Sequence, residues 1–468
     1  MTTTTKELCY LSITEAGALM RSRKLSPVEL VRAHLERIEA VDGVLHSFVT
    51  VMADQAMSEA RKAEAELLRG HDRGPLHGIP TAHKDLYDTA GVRTTSGSRV
   101  DMDRVPSEDC TVVARYRDAG AVLLGKLAMH EFALGGPDFT TPFPPARNPW
   151  NTGHITGGSS SGSGAAVAGG LCMGALGSCT GGSIRFPASH CGTVGIKPTY
   201  GRVSRAGVVT LSWSQDHAGP LTRRVEDAAL MLQPIAGHDP KDPTSSRAPV
   251  PDYREGISGG IEGLRIGVPR DYFFSRGPNV SSEVLDIVEK QLEVLEELGA
   301  RVEEVSIPSL DFARSANMVI MLSEAFAYHE PNLKARAHEY GELQRASFRI
   351  GGLLKASDYV QAQRCRSVVK KEFAEVLQRV DVLASPTMPR TAPAFEGYDP
   401  VGHNRGPSYT APYNVTGLPA ISVPAGFDGD GLPVGLQIGG RPFDEATLFR
   451  VAYAYEQRTR WYAHRPSI

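Results

Sequence analysis

Between Gly157 and Ser183 the chain reads GGSSSGSGAAVAGGLCMGALGSCTGGS. Serines spaced among glycines suit a linker, a phosphate loop or covalent chemistry. A linker stays polar throughout, whereas this segment passes into AAVAGGLCMGAL, the small apolar composition of a packed helix or strand. A Walker A loop needs a Lys followed by Ser or Thr after its glycines, and a dinucleotide fingerprint follows a strand. Neither context exists here: the preceding RNPWNTGHIT is not strand-like. Catalysis is left. Glycine permits positive φ and close approach of the backbone, so in TGGSIRFP (180–187) the N–H groups of Gly181, Gly182 and Ser183 can converge as an oxyanion hole. A serine ending such a turn is placed as a nucleophile, but its hydroxyl needs a base to react near neutrality.

The candidate bases are His77, His83, His154, His190 and His217, and Lys84 in LHGIPTAHKDLYDTAG. No G-x-S-x-G elbow accompanies the histidines, which argues against an α/β-hydrolase. Lys84 is the better candidate, lying in a mixed apolar stretch. A lysine acts as a base only where burial pulls its pKa from ~10.4 toward neutrality. That stretch alone reads more simply as carrying a surface lysine.

The elements that would hold these residues alternate. LSPVELVRAHLERI opens a helix with Ser26 as N-cap, Pro27 at the first position and Glu29 completing a capping box. SSEVLDIVEKQLEVLEELGA is a second helix, with Val284, Val288, Leu292 and Leu295 on one face and Gly299 as its stop. Residues 264–269, 301–308, 121–127 and 419–427 read as strands. Strands alternating with helices predict α/β layers. The proline-rich 138–153 is an irregular connection. HDPKDPTSSRAPVPDYREG (238–256) is the best candidate for a surface link between two lobes. Residues 312–378 carry helical patterns without strands and suit a helical cap. With 468 residues and a net charge of -3, the chain carries no overall basic footprint for nucleic acid or an anionic membrane. No apolar run is long enough for a transmembrane helix, and the N-terminus lacks a secretory apolar core. The six cysteines form no C-x-x-C pair and are too few for a disulfide scaffold, so a reducing cytoplasm is expected.

Residues 157–204 resemble the signature region of the amidase signature family. LHGIPTAHKDLYDTAGVRTTSGS (76–98), GAVLLGKLAMHEFALGG (120–136), NPWN (148–151), DHAGPLTRRVEDAALML (216–232), VLASPTMPRTAP (382–393) and YNVTGLPAISVPAGFDGDGLPVGLQIGG (413–440) resemble its other blocks, in order and nearly end to end. The resemblance implies one domain over 1–468, a large mixed β-sheet covered by helices on both faces, with its core at about 60–235 and 380–468 and a variable helical region at about 312–378. It also implies a Ser–cis-Ser–Lys triad: Ser183 as nucleophile, Ser159 as relay, Lys84 as base. Thr180, Gly181, Gly182 and Ser183 supply the oxyanion hole, and Ala133 a main-chain contact to substrate. No metal or cofactor is implied. Gly135 and Gly136 in the FALGGPDF loop, with Phe186, suggest an apolar acyl or aryl pocket.

Three positions depart from the family pattern. Cys179 stands where Asp is usual, removing the expected partner of Arg185, which we nevertheless expect to order the loop with a buried acid. His83 replaces an apolar residue, and a protonated His83 would depress the Lys84 pKa further. Phe186 stands where the family's amidotransferase subunits have Gln. The expected function is therefore a free-standing hydrolase of aryl or alkyl amides, with carbamates and esters open to the same chemistry. A small-molecule substrate, no nucleic acid and no membrane are expected, and a homodimer is allowed. The alternative is the A subunit of a tRNA-dependent glutamyl/aspartyl amidotransferase, releasing ammonia from glutamine for a partner protein. A catalytically dead scaffold is disfavoured because all three triad residues are present.

Overall fold

The computed structural model describes residues 5–399 and 406–468. Eleven strands form one mixed sheet: β1 Phe48–Val51, β2 Pro80–Lys84, β3 Val122–Leu127, β4 Gly174–Cys179, β5 Val194–Lys197, β6 His217–Thr222, β7 Arg265–Val268, β8 Arg301–Glu304, β9 Val382–Pro386, β10 Ala420–Phe427 and β11 Pro433–Gly440. Their spatial order is β1-β3-β2-β4-β6-β5-β10-β11-β9-β7-β8. β2 runs parallel to both β3 and β4, and β7 runs parallel to β8 and β9. The remaining pairs are antiparallel. The central strands are buried along their length, as in a sheet covered on both faces.

The four strands expected from sequence are β7, β8, β3 and β10. The helix Pro27–Leu45 starts as expected, with Ser26 Oγ accepting from Val28 N at 2.9 Å and Glu29 N at 3.4 Å. Only the Ser26 side-chain half of the capping box is made, and Ser26 Oγ also donates to Glu64 Oε1 at 2.5 Å. The helix Ser282–Glu297 buries Val284, Val288, Leu292 and Leu295, and Gly299 follows it at φ +90°. Residues 238–256 are irregular but are not a free link between lobes. Asp239 accepts from Thr111 Oγ1 at 2.6 Å and Ser204 Oγ at 2.5 Å, Tyr253 is fully buried, and the sheet continues unbroken past them. The strandless region carries the helices Leu310–Arg336, Glu342–Gly351 and Ala356–Val376.

Two features of this fold position the site. Parallel β2 and β4, paired from Thr81↔Gly174 to His83↔Leu176, bring their C-terminal ends together, Lys84 on one and Ser178–Cys179 on the other. The small-residue helix Ser161–Ala168 lies so close to its neighbours that a Cβ on Gly162 would stand 2.3 Å from Ser47 O, and one on Gly164 3.1 Å from Cys191 Sγ. Ser163 Oγ donates to Leu176 O at 2.9 Å, and Ser160 Oγ bonds the main chain of Ser178. Close packing, rather than flexibility, accounts for the glycine and serine content of this segment.

Candidate active site

Lys84 closes β2 with its side chain fully buried. Its Nζ donates to Ser159 Oγ at 2.7 Å and to Ser178 Oγ at 2.8 Å. Burial lowers its pKa to about 7, although Cys179 and Asp216 each pull it back upward. Ser159 follows a cis peptide after Gly158. Gly158 can only be glycine, because a Cβ there would lie 2.1 Å from the His130 ring. Ser159 lies just ahead of the helix Ser161–Ala168, and its carbonyl accepts from His130 N at 3.0 Å.

Ser183 ends the turn leaving β4 and is only partly buried. Three distant segments hold that turn. Thr180 Oγ1 donates to Asp216 Oδ1 at 2.6 Å, Asn317 Nδ2 donates to Thr180 O at 3.0 Å, and Thr410 Oγ1 donates to Gly181 O at 2.8 Å. With its carbonyls and hydroxyl so occupied, the turn leaves the N–H groups of Gly181, Gly182 and Ser183 without a protein acceptor among the described residues. Unpaired donors of this kind need a partner from outside the chain, as an oxyanion hole would provide.

A cavity of about 460 Å³ joins these groups. Ser159, Thr180, Gly181, Gly182, Ser183, Ala133, Gly135 and Phe186 line it, with Met318, Met321, Leu322, Leu343 and Ile350 contributed by the helices. Arg314 and Arg390 are its cationic lining residues. Gly136 lies elsewhere, against a small crevice with Glu131 and Pro137. Ala133 and Phe132 adopt left-handed backbone at φ +64° and +46°, in a loop tied to the helices by Glu131. Glu131 accepts from Ser98 Oγ at 2.5 Å and from Gly341 N at 2.9 Å.

Two expectations about the departures need correction. Arg185 does order the loop, but its partners are not acidic. It donates to Gln437 Oε1 and Asn414 Oδ1, each at 2.6 Å, and to Thr410 O at 3.0 Å, with Cys179 Sγ at 3.7 Å. Burial raises the Cys179 pKa, yet Arg185 and Lys197 outweigh it and the net shift is downward. The Cys179 thiol thus stands against Arg185 where an Asp would, accepting from its Nη2 at 3.7 Å. His83 is not a protonated neighbour of Lys84. The strand's alternation turns its ring away, toward Tyr87 and Tyr116, and burial, with Lys126 and Arg117, lowers its pKa to about 3.

Sequence reasoning missed Ser178, Asn317, Thr410 and Asp216. Ser178 carried a signal, a polar residue at the end of an otherwise apolar strand. The others contact the turn from far along the chain. It also missed Lys126, a buried lysine in β3 that donates to Tyr87 O at 2.6 Å and faces Asp85 at 3.6 Å. Among the described residues, no cluster of His, Cys, Asp or Glu could hold a metal ion.

The Amidase family model matches residues 29–449. The chain belongs to the amidase signature family. It is an enzyme of that family, with the mixed sheet and flanking helices expected from the resemblance. It is 44% identical to the A subunit of the glutamyl-tRNA(Gln) amidotransferase of Moorella thermoacetica, over 99% of both chains. Among solved structures it resembles the corresponding glutamyl-tRNA(Gln) amidotransferase A subunit of Thermotoga maritima, with a TM-score of 0.82 and 35% identity, covering 96% of this chain and 95% of that one. It also resembles a chain of a vestigial complex bearing on the origins of an s-triazine catabolic enzyme, with a TM-score of 0.90 and 35% identity, covering 96% and 99%.

These relatives reverse the expected order of functions. Cys179 and Phe186 are the grounds for expecting a free-standing amidohydrolase. Curated relatives 41–44% identical over the whole chain are amidotransferase A subunits instead. The expectation of a small-molecule substrate without nucleic acid or a partner protein falls with it. The physical reason is that Cys179 lies behind the turn, fully buried, where it still serves Arg185. It is therefore weak ground for a change of function. No helix among the described residues is long and apolar enough to cross a membrane.

Proposed function

We propose that this chain is the A subunit of a cytoplasmic tRNA-dependent amidotransferase, freeing ammonia from the glutamine side-chain amide for a partner protein that amidates glutamyl-tRNA(Gln). The full-length similarity to such subunits carries this reading. The Lys84–Ser159 pair beside the unpaired N–H groups of the Ser183 turn supports the chemistry.

Ser183 Oγ attacks the amide carbon. Its proton passes to Ser159 Oγ as the Ser159 proton passes to neutral Lys84 Nζ. The N–H groups of Gly181, Gly182 and Ser183 take the oxyanion, with Thr180 anchoring the turn. Collapse of the tetrahedral intermediate breaks the C–N bond, and the relay returns a proton to the leaving nitrogen, which departs as ammonia. Water then attacks the acyl-enzyme by the same relay, releasing glutamate and restoring Ser183. Ala133 and Gly135 border the substrate beside Phe186. Arg314 and Arg390 are the groups suited to the glutamine carboxylate. The helices over 312–378 act as the substrate-side cap of a single catalytic domain.

The test uses the complex assembled with the other subunits from the same host. Wild-type complex converts glutamyl-tRNA(Gln) to glutaminyl-tRNA(Gln) with either glutamine or ammonium chloride. Ser183→Ala is expected to lose glutamine-dependent conversion and labelling by a fluorophosphonate probe, while retaining ammonium-dependent conversion. A wild-type complex that works with ammonium but never with glutamine would overturn the proposal. Undiminished labelling of Ser183→Ala would remove Ser183 as nucleophile.

A further inference from the structure

A second cavity, of about 260 Å³, is lined by Tyr10, Ser12, Arg223, Arg224, Tyr462 and Arg465. It lies at the opposite end of the sheet from Ser183. β4 and β6 pair from Cys179↔His217, at the active-site end, to Gly174↔Thr222, and Arg223 and Arg224 directly follow Thr222. The two sites are thus separated by the length of a six-residue strand, roughly 20 Å.

Three guanidiniums converge on this space. Arg223 lies 5.4 Å and Arg465 4.5 Å from the centre of the same Tyr10 ring. Arg224 lies 4.4 Å from the centre of the Tyr462 ring. Among the described residues only Arg224 has an ion-pair partner, Glu15 at 3.1 Å. Arg223 donates only to carbonyls: Leu11 O at 2.8 Å, Cys172 O at 3.1 Å and Val167 O at 3.3 Å. Carbonyls satisfy donors but do not cancel a full charge. Of the nearby carboxyls, Asp227 offsets that charge in part. Asp227 is spent on Ile13 N, and Glu456 on Val225 N. Burial raises their pKa values to about 7 and about 8. Three guanidiniums around one recess, with Glu15 paired to Arg224 and Asp227 offsetting Arg223 in part, favour an added anion. Guanidinium forks match the oxygens of a phosphate group, and the aromatic walls hold the forks in place.

We propose that this recess binds a phosphate group, presented either by a small free ligand or by a ribonucleotide backbone. The inference does not depend on the amidotransferase reading. Calorimetric titration of the full chain with pyrophosphate, and separately with a short oligoribonucleotide, tests it at fixed ionic strength. Saturable binding of at least one is expected, weakened about tenfold or more by Arg465→Glu and by Arg224→Gln, and unchanged by Ser183→Ala. Tighter binding of the oligoribonucleotide assigns the phosphate to RNA, whereas binding of pyrophosphate alone assigns it to a small ligand. The proposal is overturned if neither probe binds the wild type, or if Arg465→Glu and Arg224→Gln, with unaltered thermal unfolding, bind as the wild type does.

Discussion

At the scale of single residues, the proposed chemistry depends on a lysine whose charge is penalised by its surroundings. Lys84 has a pKa of about 7 because burial penalises its charge. A base must be unprotonated, so acylation is expected to fall about tenfold per pH unit below 7 and to level off above it. A pH profile of glutamine hydrolysis reads this directly. Lys84→Ala should lower kcat by about 100- to 10,000-fold; activity near wild type at pH 7 would dismiss Lys84 as base. Cys179 modulates the same group. Where its thiol is ionised it raises the Lys84 pKa, so Cys179→Ala should move the rising limb of the profile to lower pH. A limb that stays in place or moves up would show that the thiol carries no charge. The lysine itself was visible in the sequence. Its protonation state was not, because desolvation is a property of the surrounding fold.

At the scale of elements, the turn that carries the proposed nucleophile Ser183 belongs to no single segment. β4 delivers it, the loop before β6 anchors Thr180, and Asn317 and Thr410 fix its carbonyls from two separate helical regions. Gly182 shows how tight the clamp is: φ is +152°, and a Cβ there would lie 2.2 Å from Thr410 Oγ1. Gly182→Ala is therefore expected to lose most activity, with backbone strain costing about 1–3 kcal/mol. Comparison of kcat with thermal unfolding checks this. Activity kept alongside an unchanged melting temperature would mean the turn adapts. Glu131 plays the corresponding part for the Ala133 loop, joining it to Ser98 and Gly341. Glu131→Gln sets an amide N–H₂ against one of these donors, a loss of about 1–3 kcal/mol. Its KM for glutamine should rise more than its kcat falls; a pure kcat effect would count against a positioning role. The TGGS turn could be read from sequence as a candidate oxyanion hole because its glycines are local. Its clamps could not, because hydrogen bonds between distant segments leave no periodic trace.

At the scale of the whole molecule, the C-terminal helix Glu445–Thr459 is tied to the middle of the chain through a carboxyl kept neutral by burial. Glu456 has a pKa raised to about 8, and nearby Asp227 one raised to about 7. Unfolding restores both to ordinary carboxyl values. Their contribution to stability is therefore complete only below the ordinary carboxyl range, about pH 4, and is lost progressively as the pH rises from there to their folded values of about 7 and about 8. The protein should melt at a lower temperature at pH 9 than at pH 6, and Glu456→Gln should narrow that gap. Thermal unfolding of both proteins at the two pH values decides it, and an equal gap in the variant would exclude Glu456 as a source.

The sequence by itself determined the layered α/β character, the helix starts and stops, and the family. Those follow from local periodicity, caps and unbroken motif blocks. Lys84, Ser159 and Ser183 were also within reach as candidates, since each sits in a compact block. Tertiary structure alone decided that Lys84 is buried between Ser159 and Ser178, that His83 points away, that Arg185 is held by amides and a thiol rather than an acid, and that residues 238–256 are packed down. Parallel strand pairing set the first two, by joining strand ends far apart in sequence and fixing which face each side chain occupies. The other two followed from burial, which makes every polar group find a partner wherever the chain happens to supply one.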